Sequence, residues 1–476
     1  MASCDMNAVR QTAIDFIAFL NASPSPYHAA DNCCRALKAA GFAELKETEA
    51  WNQIRPLGKY FMHRNRSTVI AFAVGGCWKP GNGFSMVAVH TDSPCFKVKP
   101  RSRIGSGGCL QLGVMPYGGG IWRSWFDRDL SVAGRVIVRN KADNTIEHRL
   151  CHIAKPIIQI PSLAIHLDRD SNDAFKFNRE THLRPIMATE YIDRLLSGSS
   201  PTQEQCSDIK STGDKQNPVT QDHHSGFLKM VAEAVNSNPD DIVDMELHLF
   251  DTQPARLTGI HEEFIAGARL DNLVGSYTAV QGIVQSTCLE QDSNIRMVAC
   301  YDNEECGSES AQGAASAVTE LVMRRIIAAL QTANGDNTAL SVKFEEAIPK
   351  SLLISADQAH ALHPNYKDKY EDENAAQFHR GVVVKINANQ RYATTSITHA
   401  MLKEVASRAS IPLQSFVVRN DSSCGSTIGP IMSAKFALPT IDVGTTQLAM
   451  HSVRELADTS GLAHAVALYK MNAVKP

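Results

Sequence analysis

The sequence predicts an α/β protein in which a helix-covered mixed sheet is interrupted by a mainly β domain. Three observations carry this expectation. Apolar runs of strand length alternate with runs of helical period over residues 1–94 and again over 250–476. Between them, residues 95–249 change character: short β-like runs, frequent glycines and aromatics, few long helical patterns. The length of 476 residues suffices for two domains, or for one domain set into another.

Residues 6–40 read as two helices. Val9, Ile14, Ile17 and Leu20 form one stripe, and Ser23-Pro24-Ser25-Pro26 breaks it before a second helix near 29–40. Residues 68–74 and 84–89 suit strands, the second ending in His90-Thr91-Asp92-Ser93-Pro94. Within 95–249, runs such as 132–138 and 157–160 alternate with turn signals at 105–108 and 118–120. Residues 197–225 are rich in Ser, Thr, Gln, Asp and Lys and predict a mobile surface loop. Alternation then resumes: a helix over 273–288, a strand over 295–300, a long helix over 310–332, strands at 352–354 and 382–386, a helix over 397–409, strands at 416–418 and 440–443, and a helix in the last 25 residues.

Composition narrows the function. A net charge of −3 without a long basic run argues against nucleic acid as a partner. No uninterrupted apolar run approaches the roughly 18 residues of a membrane span. Asp5, Arg10 and Asp15 interrupt the N-terminal region, so no secretory signal is expected. The 12 cysteines are scattered without a CxxC pair, which predicts reduced thiols in a cytoplasmic protein.

The chemistry concentrates at strand ends. Val87-Ala88-Val89-His90, Ala268-Arg269-Leu270-Asp271, Arg296-Met297-Val298-Ala299-Cys300-Tyr301-Asp302-Asn303-Glu304-Glu305, Leu353-Ile354-Ser355-Ala356-Asp357 and Leu448-Ala449-Met450-His451 each deliver a carboxylate or imidazole after an apolar run. In an open α/β sheet such ends line the ligand crevice. Two adjacent carboxylates in a dehydrated cleft repel, and a divalent cation is the simplest compensation for Glu304-Glu305. Histidine–carboxylate mixtures suit zinc, cobalt or manganese better than calcium. Five such groups exceed what one catalytic zinc takes and suit two ions sharing a carboxylate, with a hydroxide held between them. Asp92 would fix the His90 ring through its second nitrogen. Each group alone has a plainer reading: Glu304-Glu305 as a solvated loop, Asp271 as a helix cap, His451 as a structural hydrogen-bonding residue, Asp357 with His360 and His363 as a polar loop. Lys385 inside Val384-Lys385-Ile386 is either a paired cation near the site or a guard on an edge strand.

Several motifs in order give these groups a common setting. Val89-His90-Thr91-Asp92-Ser93-Pro94, the run from Cys300 to Gly313, Ser355-Ala356-Asp357-Gln358-Ala359-His360-Ala361, Val418-Arg419-Asn420-Asp421 with Cys424-Gly425, and Gln447-Leu448-Ala449-Met450-His451-Ser452 resemble the aspartyl aminopeptidases. The resemblance spans the chain apart from the loop near 197–225, and Cys306 departs from the small apolar residues common there.

The resemblance implies a cytoplasmic two-metal enzyme that removes N-terminal Asp or Glu from peptides. It implies one ion held by His90, Asp271 and Asp357 and another by Asp271, Glu305 and His451, with Glu304 as general base. It implies that 1–94 and 250–476 form a proteolytic domain, that 95–249 form a dimerisation domain, and that the dimers build a tetrahedral homododecamer. It points to His360, Lys385 and Tyr392 as substrate-binding residues, and to His166 as reaching a neighbouring subunit's site. The rival readings are a deacylase or carboxypeptidase of related two-metal fold, and a non-enzymatic assembly protein.

Overall fold

The computed structural model describes residues 6–197, 218–334 and 339–470. The chain divides into two compact units, Met1–Ser93 with Ala255–Pro476, and Pro94–Pro254.

The first unit is built on a nine-stranded mixed sheet. Its strand order is Ala43–Glu44, Lys59–Arg64, Thr68–Val74, Ile295–Tyr301, Phe84–His90, Leu352–Ala356, Thr440–Gly444, Val382–Ile386, Leu413–Val417. Ile295–Tyr301, Phe84–His90, Leu352–Ala356 and Thr440–Gly444 run parallel side by side, in registers that include Tyr301 opposite His90 and Ser355 opposite Ala88. The carboxyl ends of these central strands therefore open at one edge of the sheet.

These strands are mostly apolar because both faces are covered. Along Phe84–His90, Phe84, Met86 and Ala88 enter one core with Met297, Val322, Ile326 and Met432. Val87 and Val89 enter the opposite core with Leu37, Val280, Ile283, Leu402 and Leu468. Each such buried side chain contributes about 1.5–3 kcal/mol. A smaller five-stranded sheet, in the order Arg256–Thr258, Phe264–Gly267, Glu455–Asp458, Thr446–Leu448, Ala359–His360, belongs to the same unit.

The second unit holds a six-stranded antiparallel sheet: Ile146–His152, Leu130–Arg139, Ile242–Asp251, Cys95–Ser106, Cys109–Tyr117, Ile186–Thr189. Phe96 lies 4.7 Å from Trp122 and 5.0 Å from Trp125 between ring centroids, an aromatic cluster at the heart of this unit.

Several boundaries differ from the sequence expectation. The long helix begins at Val318 rather than 310. Residues before it are held as turns: Ser310 Oγ and Gln312 Nε2 both donate to Asn303 Oδ1 at 2.8 Å. The expected C-terminal helix covers Thr459–Lys470, and the strand Glu455–Asp458 precedes it, because that stretch pairs with Phe264–Gly267. Most of the expected loop at 197–225 lies outside the described residues, while Pro218–Asp222 and Ser225–Ala234 are helical.

Candidate active site

At the carboxyl edge of the central strands, His90 closes its strand, Glu304 and Glu305 follow Ile295–Tyr301 in a short turn, and Asp357 follows Leu352–Ala356. Asp271 stands at the start of the helix Leu270–Val284, and His451 follows Thr446–Leu448. These side chains converge. His90 Nε2 lies 3.5 Å from Asp271 Oδ1, 3.5 Å from Asp357 Oδ1 and 3.8 Å from Glu304 Oε2. His451 Nε2 lies 3.3 Å from Asp271 Oδ2 and 3.4 Å from Glu305 Oε1. Asp271 thus turns one oxygen to each imidazole. The two adjacent glutamates diverge, Glu304 toward His90 and Glu305 toward His451.

The backbone around these groups is tightly held. Asp271 is not the cap of its helix: Asn272 Oδ1 accepts from Gly275 N at 3.0 Å, and Asn272 Nδ2 donates to Ala356 O at 2.8 Å. Ser93 Oγ donates to Asp271 O at 2.5 Å, and Ser276 Oγ to His90 O at 2.6 Å. Asp92 has a wider role than the sequence suggested. His90 Nδ1 faces Asp92 O at 3.0 Å and Asp92 Oδ1 at 3.3 Å. The same carboxylate accepts Glu304 N at 3.2 Å and Glu305 N at 3.1 Å, so one buried aspartate steadies both the imidazole and the glutamate turn.

Electrostatics call for a cation. Burial first, then the charges of Asp357, Asp92 and Asp271 against the pull of His90, push Glu304 up to about 8. Burial and Asp271 hold Glu305 well above the usual carboxylate range. Burial opposes the charging of Asp271, yet the imidazoles of His451 and His90 keep it well below that range. Burial likewise opposes a charge on His90, and Glu304 with the neighbouring aspartates raises it well above an ordinary imidazole. Two like charges about 4 Å apart repel by ~4 kcal/mol at an effective dielectric of about 20. Asp271 Oδ1 and Glu305 Oε1 are buried without a hydrogen-bond partner. Ligand atoms of His90, Asp271 and Asp357, and those of Asp271, Glu305 and His451, lie within 4.8 Å of one another in each group. Orphaned buried oxygens among imidazoles fit a borderline divalent ion such as zinc.

The expected substrate-binding residues fall into two sets. Lys385 is buried on an interior strand, which excludes the edge-strand reading, and its Nζ lies 3.4 Å from Asp357 Oδ2. Tyr392 is buried with its ring centroid 5.4 Å from Lys385 Nζ. His360, three residues past Asp357 on the short strand Ala359–His360, sets its ring 5.9 Å from Phe416. His166 belongs to the second unit, exposed in a turn among the exposed apolar side chains Leu163, Ile165 and Leu167.

Sequence reasoning missed Asn272, Gln358, Gln447 and Glu455. Only Glu455 left a trace, a carboxylate four residues past His451 in a stretch that then turns apolar. Burial first and Asp271 second push this group up to about 8.

The family described as aminopeptidase I zinc metalloprotease (M18) matches residues 19–472. The aspartyl aminopeptidase of Caenorhabditis elegans is 52% identical over 466 residues, covering 97% of this chain and 94% of its own. That of Aspergillus oryzae is 45% identical over 477 residues, with 97% and 95% coverage. Among solved structures, that of the Ape4 and Nbr1 complex superposes with a TM-score of 0.89 at 43% identity over 99% of this chain and 86% of the other. The S. cerevisiae mApe1 dodecamer gives 0.82 at 26% identity, covering 98% and 96%. The chain belongs to the M18 family of zinc metalloproteases and is a metal-dependent aminopeptidase, a hydrolase of peptide bonds.

Proposed function

We propose that this aminopeptidase removes N-terminal aspartate or glutamate from peptides, using two divalent ions, zinc foremost, with cobalt and manganese as alternatives. The observation that carries the reading is Asp271, whose two oxygens face two separate imidazoles, each flanked by a further carboxylate. His90, Asp271 and Asp357 would hold one ion, and Asp271, Glu305 and His451 the other. Bound there, the ions supply Lewis-acid activation of water and of the scissile carbonyl. Glu304 is the side chain left beside the ligands but turned toward His90; it takes the proton of the attacking water and passes it to the leaving amine.

Lys385 supplies the cation for an acidic N-terminal side chain. Its charge is half committed to Asp357, and Tyr392 covers its other side. His360 lines the approach beside Phe416. The relatives named aspartyl aminopeptidases support this preference.

The chain assembles as a homododecamer of tetrahedral form built from dimers, as a dodecameric relative supports. The second unit is the dimerisation element. Its Leu163, Ile165, Leu167, Tyr191, Leu195 and Leu196 are exposed large apolar side chains, the type that an interface would cover, and His166, within the first of these stretches, serves a neighbouring subunit's site. The ten free cysteines among the described residues accord with a cytoplasmic location. No helix among the described residues is long and apolar enough to cross a membrane. Hydrolysis of a panel of Asp-, Glu- and Ala-initiated peptides tests the reading. The acidic peptides should be cut fastest, and an Ala preference would overturn it.

A further inference from the structure

Glu455 meets the backbone of two of the six groups above. Its Oε2 accepts Asp271 N at 3.1 Å, and its Oε1 accepts His451 N at 2.8 Å. Asp271 and His451 lie far apart in the sequence. What brings them together is the five-stranded sheet: Phe264–Gly267, which leads to Asp271, pairs with Glu455–Asp458, and that strand pairs with Thr446–Leu448, which leads to His451.

The carboxylate does not stop at these two bonds. Gln447 Nε2 donates to Glu455 Oε1 at 3.2 Å, Gln358 Nε2 donates to Gln447 Oε1 at 3.2 Å, and Thr445 Oγ1 donates to Gln358 Oε1 at 2.8 Å. Gln358 N in turn donates to Asp357 Oδ1 at 2.8 Å. Gln358, Thr445, Gln447 and Glu455 are all buried. The sheet core here is a continuous polar chain that runs from the Asp357 carboxylate to the backbones of Asp271 and His451. A buried polar chain is costly unless every member is satisfied, and a satisfied one fixes a single arrangement.

We propose that Glu455 is a positioning residue that clamps Asp271 and His451 into one ligand set, and that Gln447 and Gln358 tie this clamp to Asp357. The inference rests on the two-ion reading above. Partners that orient metal ligands typically carry about 10–100-fold in metal affinity. The clamp holds two ligands of the ion of Asp271, Glu305 and His451 directly, whereas for the ion of His90, Asp271 and Asp357 it holds only the shared Asp271 directly and reaches Asp357 through two amides.

The test is zinc binding by calorimetry to metal-free full-length protein, wild type, Glu455→Gln and Glu455→Leu, with His451→Ala to identify which binding step belongs to the second ion. Circular dichroism checks that each variant is folded. Glu455→Gln keeps the volume and one accepting oxygen, so it serves where Glu455→Leu does not fold. The expected result is that Glu455→Leu weakens the step that His451→Ala removes by roughly 10–100-fold, with Glu455→Gln in between and the other step changed much less. Wild-type affinity at both steps in the variants overturns the clamp and leaves the two-ion reading intact. Equal weakening of both steps reduces Glu455 to a general structural role and also overturns the clamp. A wild type that binds no zinc at these residues overturns the two-ion reading and the clamp with it.

Discussion

Glu304 is the residue on which the proposed chemistry turns. Its side chain is half-buried, pushed up to about 8, and flanked by groups that would hold the ions. Glu304→Gln keeps the shape and removes the proton acceptor. Turnover should fall by roughly 10²–10⁴-fold, the range for a lost general base, with zinc content unchanged by elemental analysis. Lys385 calls for a milder change than charge reversal. It sits 3.4 Å from Asp357, so Lys385→Glu would also repel a metal ligand. Lys385→Met leaves Asp357 without its partner but adds no negative charge. It should lower kcat/KM for Asp peptides far more than for Ala peptides, and an equal loss on both would count against a role in recognition. At this scale the sequence was informative where an imidazole or carboxylate closed an apolar run, as at His90, Asp357 and Glu305. It left only a faint trace of Glu455 and none of Gln447, because neither an acceptor for distant backbone N–H groups nor an amide bridging two buried side chains makes a local pattern.

Among the elements, the helix Leu270–Val284 shows how local sequence can mislead. Asp271-Asn272 looks like a capping pair, and either residue can cap. The structure gives the cap to Asn272, which also reaches Ala356 O, and so frees Asp271 to face the two imidazoles. Asn272→Ala should cost about 1–2 kcal/mol, read as a lowered urea midpoint, and should disturb Asp271 as well. The helix predicted from 310 starts at Val318 for a related reason. Asn303, at φ +66°, gathers Ser310 and Gln312 into the turn that carries the glutamates. The apolar periodicity of 318–334 was legible; the competition for its first turns by a side chain upstream was not.

For the whole molecule, the central strands were legible because continuous apolar runs bounded by turns can only be doubly covered strands here. The inserted β segment was legible from its change of texture. The five-stranded sheet was not, since its strands are of two to four residues and are drawn from three separate stretches of chain. On the two-ion proposal, metal bound at Asp271 and His451, which this sheet positions, should stabilise the first unit. Ligand binding stabilises by about 2.7 kcal/mol at a hundredfold excess over Kd, so chelation should lower the melting transition of the first unit and leave the β unit of 94–254 in place, as hydrogen exchange would show. The metal-free protein should also respond to pH. Glu304 and Glu455 stand at about 8 in the folded state against about 4.3 unfolded, and His90 is raised as well. The folded form therefore holds more protons between those values, so its stability is present at low pH and is lost as pH rises from about 5 to 8. Asp271, held low, contributes in the opposite sense only below about pH 4. Melting temperatures of the metal-free protein should fall across this window, and bound zinc should abolish the fall.

The most direct measurement is elemental analysis beside Asp-peptide hydrolysis, on wild type and Glu304→Gln purified together. The account predicts about two zinc ions per chain in both and turnover in the wild type alone. A fully loaded Glu304→Gln that hydrolyses the peptide at the wild-type rate would contradict it.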